Sequence, residues 1–252
     1  MTINDFDQQL TSEFQDEARD TLNAMDVLLG NVRSRLVKAE DALGRMRRDT
    51  HNLRIGAKSV GLAACDLILY RLDDYLADLK ALDDRHLDDI QAFTDRIRAV
   101  LEGEPVGEDL KSVARALPAK KTFDIGDIQV LNIEILLVGP NRTASRLIER
   151  ELQACGYRVV NVQRSFEALE MAVQSRPDLV ISAAMLDVLS GVDLACALNA
   201  MPSTRGIPFA LLTSFEWGHP ELDGLPPTAA IIRKGPKFGD DLAEALSRFG
   251  IT

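Results

Sequence analysis

From residue 6 to about residue 102 the apolar positions fall three and four residues apart, the spacing that lines one face of an α-helix. Leu43, Met46, Thr50, Leu53, Ala57 and Val60 step 3-4-3-4-3. Leu62, Cys65, Leu69, Leu72, Leu76 and Leu79 repeat the rhythm, as do Leu87, Ile90, Thr94, Ile97 and Leu101. A looser series, Phe6, Leu10, Phe14, Ala18, Met25, Leu29, Val32 and Leu36, predicts a long first helix. Four such stripes with short connections predict an all-α antiparallel four-helix bundle, with Gly61 and "ALDDRH" as breaks.

The pattern changes after "LEGEPVGED". From residue 132, short runs rich in branched apolar residues alternate with helical stretches: "IEILLV", "RLIERELQAC", "YRVVNV", "SFEALEMAVQ", "DLVIS", "VDLACALNAM", "PFALLT", "AAIIR" and "DDLAEALSRF". Strands alternating with helices predict an α/β doubly wound five-stranded parallel sheet, whose working crevice lies beyond the carboxyl ends of the strands. The expected division is a bundle over 1–104, a linker over 105–131 that includes a short helix in "EDLKSVARAL", and the sheet domain over 132–252. Between the last two strands, "SFEWGHPELDGLPPTAA" holds three prolines and two glycines, so a full fourth helix is not expected there. Trp217 in that segment is either a partner anchor or a cap over the sheet's edge.

Charge and composition narrow the classes. The 252 residues carry a net charge of −10, of which residues 1–110, with 23 acids against 14 bases, hold −9. That excludes bulk nucleic-acid binding, which needs a basic face. No apolar run approaches the ~20 residues of a membrane span, and the polar, acidic start lacks a secretory pattern, so a soluble cytoplasmic protein is expected. Cys65, Cys155 and Cys196 are widely spaced and are expected to be small core residues rather than disulfide or zinc ligands. No cofactor or metal is indicated; His86 is expected to start or cap the fourth helix of the bundle, and His219 to sit in a loop.

Against that acidic background, "RMRRDTHNLRIGAKSVG" gathers Arg45, Arg47, Arg48, Arg54 and Lys58 around His51, with Asp49 as the one acid. Thr50 belongs to the core stripe, so His51, about 100° further round the helix, is expected on the bundle's flank. Arg47, Arg54 and Lys58 fall near the same face by helical spacing. Cations disfavour the protonated imidazolium, and only a neutral ring nitrogen is a nucleophile. The same cations suit a phosphoryl group once it is in place. A solvated helix exterior is the plain alternative.

"HNLRIGAKSVGL" followed by "YRLDDYLADL" resembles the histidine phosphotransfer (HPt) domains of two-component signalling, especially the type at the N-terminus of chemotaxis kinases, over residues 5–103. The resemblance implies that His51 is the phospho-acceptor, that Arg54 stands for the family's lysine, that Gly61 falls ten residues after the histidine as in the family, and that Leu72, Asp73 and Asp74 match its later motif. One position departs: where the family has a glycine after its lysine, this chain has Ile55, with a glycine displaced to Gly56. A branched side chain one turn from His51 implies slower transfer, fewer partners, or docking without transfer.

Residues 132–251 resemble the receiver domains of response regulators, a flavodoxin-like fold. "PDLVISAAMLDVLSGVDL" aligns on the segment that ends the third strand, and Thr213 and Lys234 fall at the switch Thr/Ser and Lys positions. The three carboxylates of the family's chemistry are missing: Gly139 and Pro140 stand at the acidic pair and Ala183 at the acceptor. Magnesium needs oxygen ligands and an alanine methyl accepts no phosphoryl group, so aspartyl-phosphate chemistry is not expected. Asp187, four positions on, and Ser182, on the opposite face by strand alternation, do not replace the acceptor. Thr213 and Lys234 then read as strand-end residues that suit the crevice.

Together the resemblances imply a phosphorelay carrier, not a kinase, since no nucleotide-binding module is recognisable and the chain ends at Thr252, after the last helix of the receiver-like domain. His51 would exchange a phosphoryl group with receiver domains of response regulators or hybrid histidine kinases, and Arg47, Arg54, Ile55 and Lys58 would form the phosphate- and partner-binding rim. Neither nucleic acid nor membrane is expected as a partner. Two alternatives stay open: a phosphorylation-independent protein that sequesters a regulator or kinase, and a small-molecule sensor using the receiver-like crevice.

Overall fold

The computed structural model describes residues 3–103, 109–120, 131–140, 142–216 and 218–251; Trp217 and most of the expected linker lie outside them. Contacts divide the chain into two compact units, Met1–Pro118 and Ala119–Thr252.

In the first unit, α1 (Ile3–Arg33), α2 (Ala39–Ser59), α3 (Ala63–Ala77) and α4 (Asp84–Leu101) form a ring in which α1 and α3 each touch α2 and α4. This is the predicted bundle. The α2 stripe Leu43, Met46, Thr50, Leu53 and Ala57 is buried throughout, in one core with Leu22, Met25, Leu69, Leu72, Phe93 and Ile97. The outer members of the α1 series, Phe6, Leu10 and Leu36, are exposed. The short helix α5 (Leu110–Ala116) falls inside the expected linker, yet its Val113 and Leu117 are buried in the bundle core.

The helix ends follow local chemistry. At the end of α2, Gly61 takes φ +72°, the Gly61 N–H donates to the Lys58 carbonyl, and the Leu62 N–H donates to the Ala57 carbonyl at 3.0 Å. This paired closure satisfies two terminal carbonyls and needs a residue that tolerates positive φ. At the start of α4, the Asp83 carboxylate accepts from the His86 N–H at 2.8 Å, and this backbone hydrogen bond is the main cause of its lowered pKa. The Tyr75 hydroxyl donates to Asp89 at 2.6 Å and ties α3 to α4. Burial, reinforced by that acceptor, raises the phenol's pKa.

In the second unit, β1 (Glu134–Val138), β2 (Arg158–Val162), β3 (Leu179–Ala183), β4 (Phe209–Thr213) and β5 (Ala230–Arg233) form one all-parallel sheet in the order β2-β1-β3-β4-β5. Strands β1, β3 and β4 are buried at every position, as expected of a parallel sheet covered on both faces. Four helices, α6 (Arg142–Ala154), α7 (Ser165–Ser175), α8 (Gly191–Ala200) and α9 (Phe238–Phe249), supply the cover. Ile135, Leu137, Ile181 and Leu212 form one core with Leu152 of α6 and with Phe238, Leu242 and Leu246 of α9. Asp241 of α9 fixes the edge strand β5, accepting from the Arg233 N–H at 2.8 Å and from its guanidinium at 2.7 and 2.6 Å.

Between β4 and β5 the described residues hold one 3-10 turn, Pro220–Leu222, and no α-helix. His219 opens it, accepting from the Glu221 N–H through Nδ1 and stacking on Phe215 with ring centroids 4.1 Å apart. One sequence expectation is corrected here. Cys65 is a buried core residue whose thiol is pushed up to about 12, first by burial and then by Asp66. Cys155 and Cys196 are exposed, because Cys155 follows the last turn of α6 and Cys196 sits off the buried stripe of Val192, Ala195 and Leu198.

Candidate functional site

His51 stands near the middle of α2 and is exposed, one residue from fully buried Thr50. Among the described residues no hydrogen bond or ion pair engages its ring. The flank position expected from the stripe is the position it occupies.

The surrounding cations are not arranged as helical spacing suggested. Arg47 turns toward the C-terminus of α3, where its guanidinium donates to the carbonyls of Leu76 (2.8 and 3.0 Å), Ala77 (3.3 Å) and Leu79 (2.6 Å). The cause is local. Helix α3 has no basic residue in its last turn, and its terminal carbonyls and negative dipole end attract a cation from the neighbouring helix. Arg54 is likewise directed onto α3: it pairs with buried Asp66 at 3.5 Å and with Asp73 at 4.0 Å, and lies 4.4 Å over the Tyr70 ring. Arg45 pairs with Asp49 at 3.6 Å. Arg48 and Lys58 remain exposed on α2. Arg47 and Arg54 thus lock α2 onto α3.

Ile55, one turn beyond His51, is 59% exposed. Its neighbour Gly56 serves the interior: a Cβ there would lie 2.7 Å from two ring atoms of Phe14, so the absent side chain lets α1 approach α2. The glycine next to the family's glycine position is thus a packing glycine, and the outward face carries a branched side chain instead.

In the second unit the crevice lies past the carboxyl ends of β1 and β3. A Cβ on buried Gly139 would meet the Ser145 Oγ at 2.9 Å and the Ala183 Cβ at 4.0 Å. Gly139 and Pro140 offer no carboxylate after β1, and Ala183 supplies a methyl. These residues do not fit a magnesium ion, and among the described residues no group of three His, Cys, Asp or Glu side chains is placed to hold a metal. Ser182 is fully buried and donates to the Ala183 carbonyl at 3.1 Å.

Asp187 has another use, which the sequence reading missed. Its Oδ1 accepts from the Ser165 N–H at 2.9 Å and the Ser165 hydroxyl at 2.7 Å, tying the loop after β3 to the start of α7. Those hydrogen bonds, with one from Val188, hold its carboxyl far below the usual carboxylate range. Nothing local signals a contact spanning 22 residues. Ser190 and Asp193, by contrast, form a reciprocal cap at the start of α8 that "SGVD" does announce. Thr213 is buried, and its hydroxyl accepts from the Phe215 N–H at 3.0 Å, a turn-closing role. Lys234 is exposed beside it, its N–H donating to the Thr213 carbonyl at 2.9 Å.

This sheet, with its crevice at the β1/β3 switch, resembles the receiver domain of a response regulator, and sequence comparison points the same way. The polar-differentiation response regulator DivK of Brucella anthropi is 28% identical over 81 residues, 32% of this chain and 66% of DivK. The response regulator PleD of Caulobacter vibrioides is 30% identical over 95 residues, 38% of this chain and 21% of PleD. The chain thus spans just under two thirds of the first relative's length and about a fifth of the second's. Among solved structures, the receiver domain of sensor histidine kinase PA1611 from Pseudomonas aeruginosa PAO1 is 25% identical with a TM-score of 0.43, over 47% of this chain and 98% of that one. Chemotaxis response regulator CheY4 of Vibrio cholerae is 24% identical with a TM-score of 0.40, over 46% and 98%. No family model matches the chain. No helix among the described residues is long and apolar enough to cross a membrane.

Proposed function

We propose that this is a cytoplasmic two-component signalling protein that carries a phosphoryl group on His51 between receiver domains of partner proteins. The observation that supports this most is His51 itself, an exposed imidazole whose ring has no hydrogen-bond or ion-pair partner among the described residues, on a helix within an HPt-like sequence. In the transfer, the lone pair of a neutral ring nitrogen attacks the phosphorus of a partner's aspartyl phosphate. The acyl O–P bond breaks and its electron pair leaves with the carboxylate. The ring keeps the proton on its other nitrogen and becomes a phosphorylated imidazolium. Magnesium and the activating acids belong to the partner; this chain supplies the nucleophile, with Arg48 and Lys58 as nearby cations. It is a carrier rather than a kinase. The receiver-like unit, lacking the three carboxylates, recruits or restrains partners without being phosphorylated.

The test is transfer of radiolabel from a phosphorylated receiver to the wild type and to His51→Gln. Label on the wild type alone is expected. Label on both proteins, or on neither, overturns the relay.

A second reading is sequestration of a regulator or kinase without transfer. Its support is the engagement of Arg47 and Arg54 by α3 together with the exposed Ile55.

A further inference from the structure

We propose that Ile55 is the specificity-determining contact of the His51 surface, an apolar anchor that seats in a receiver-type partner presenting an apolar pocket ringed by carboxylates; this rests on the relay reading above. Ile55 is the one large apolar side chain of α2 that is exposed. It projects one turn from the nucleophile, a separation of about 5–6 Å between Cβ atoms. A partner that brings a phosphoryl group onto His51 must therefore cover Ile55 in the same encounter. A β-branched side chain on a helix has essentially one χ1 rotamer, so it neither folds away nor loses much freedom when buried. A partner with a pocket gains the burial, and a partner with a flat or polar surface there meets a clash. One residue then works for the right partner and against the wrong one.

Two further observations define the occupant. The backbone under Ile55 is held in place, because Phe14 of α1 packs on Gly56 and leaves no room for a Cβ. One and two turns before Phe14 on α1 come Leu10, 40% exposed, and Phe6, 53% exposed, so an apolar strip runs outward from the point where α1 meets α2. Charge supplies the second constraint. Residues 1–110 are net acidic, yet the stretch from Arg45 to Lys58 holds five cations and one acid. With Arg47 and Arg54 directed onto α3, the exposed cations Arg48 and Lys58 keep this stretch of α2 positive, which complements a ring of carboxylates rather than a basic or neutral face.

The experiment uses the full chain and a panel of isolated receiver domains, each charged with labelled phosphate, and measures transfer rates to the wild type, Ile55→Ala and Ile55→Leu. Both variants keep a good helix former at an exposed site, and the melting curve of each is expected to match the wild type. For the receiver that transfers fastest to the wild type, Ile55→Ala is expected to lower the rate about tenfold, while receivers that transfer poorly gain, so the ranking changes. Ile55→Leu is expected to fall between. If every receiver changes by the same factor, or none changes, Ile55 does not set specificity and the proposal fails while the relay stands. If no receiver labels the wild type or either variant, the relay fails and this proposal falls with it.

Discussion

Helix α2 and the crevice of the sheet differ in what each offers a reacting group. On α2, His51 is exposed, while two of its flanking arginines secure α3. In the crevice the framework survives and the reactive groups are gone. The strand order, the switch between β1 and β3, Thr213 and Lys234 are all present around Gly139 and Ala183. The contrast teaches that fold and chemistry are specified by different residues. Buried apolar runs determine the sheet, so its three carboxylates can disappear without disturbing a single strand.

The sharpest way to break this comparison is to return an acceptor to the crevice. Ala183→Asp restores one carboxylate, but Gly139 and Pro140 still leave the acidic pair missing. Treated with acetyl phosphate and magnesium, the wild type and Ala183→Asp are both expected to show no aspartyl phosphate by intact mass. A phosphorylated Ala183→Asp protein would mean that the crevice still binds the metal, and the asymmetry between the two units would vanish.

A second test separates the cations of α2 by use. Arg47 makes charged hydrogen bonds to the carbonyls of Leu76 and Ala77 in α3 and of Leu79 just past its end, and hydrogen bonds to a charged group contribute about 1.5–3 kcal/mol, so Arg47→Ala is expected to destabilise the bundle by about 2–3 kcal/mol. Exposed Arg48→Ala should stay within about 0.5 kcal/mol and slow transfer instead. Denaturant titration with transfer assays on the same proteins checks both. Were Arg47→Ala to leave stability unchanged and impair transfer, Arg47 would belong to the phosphate rim.

What was legible in the sequence follows from range. The stripes of α2 and α4 and the continuous apolar runs that became β1, β3 and β4 are patterns among neighbouring residues, and each is buried as its pattern implies, whereas α3 buries Leu67, Ile68, Tyr70 and Tyr75 beyond its stripe. The exposed position of His51 followed from its neighbour Thr50 by the same counting. The turn of Arg47 to carbonyls about 30 residues away, the Phe14 ring over Gly56, and the Asp187 clamp on Ser165 depend on which elements become neighbours, and no local spacing encodes that. Helical spacing located the cations on α2 and was silent about what α3 would do with them.

The sheet unit also carries a charge test of its own framework. Asp241 is held down to about 2, chiefly by its hydrogen bonds with the Arg233 side chain. A depressed carboxyl contributes stability that is present above its unfolded value of about 3.9 and is lost as pH falls through its folded value. Asp241→Asn is therefore expected to lower the melting temperature of the sheet unit at pH 7, and its deficit relative to the wild type to shrink between pH 4 and about 2. A deficit that stays constant down to pH 2 would show that the pair contributes shape rather than charge.

The smallest effect tests whether the cost of keeping a site falls on α2. Thr50 and Thr94 are both fully buried in the bundle core, yet their hydroxyls differ. The Thr94 Oγ1 donates to the Gln91 carbonyl at 2.9 Å, whereas the Thr50 Oγ1, one residue from His51, has no hydrogen-bond partner among the described residues. A buried hydroxyl left without a partner is destabilising, and valine of nearly the same shape removes the polar atom at little change in helix propensity. Thr50→Val is thus expected to stabilise the bundle by up to about 1 kcal/mol, a rise of about 4 °C in melting temperature for a domain of this size, and Thr94→Val to destabilise it by a similar amount. Opposite signs for the same substitution would locate an unrelieved cost one residue from His51, as the proposed carrier role of α2 leads one to expect. Equal losses at both positions would mean that α2 is as fully optimised as the sheet, and that the exposure of His51 carries no cost in stability.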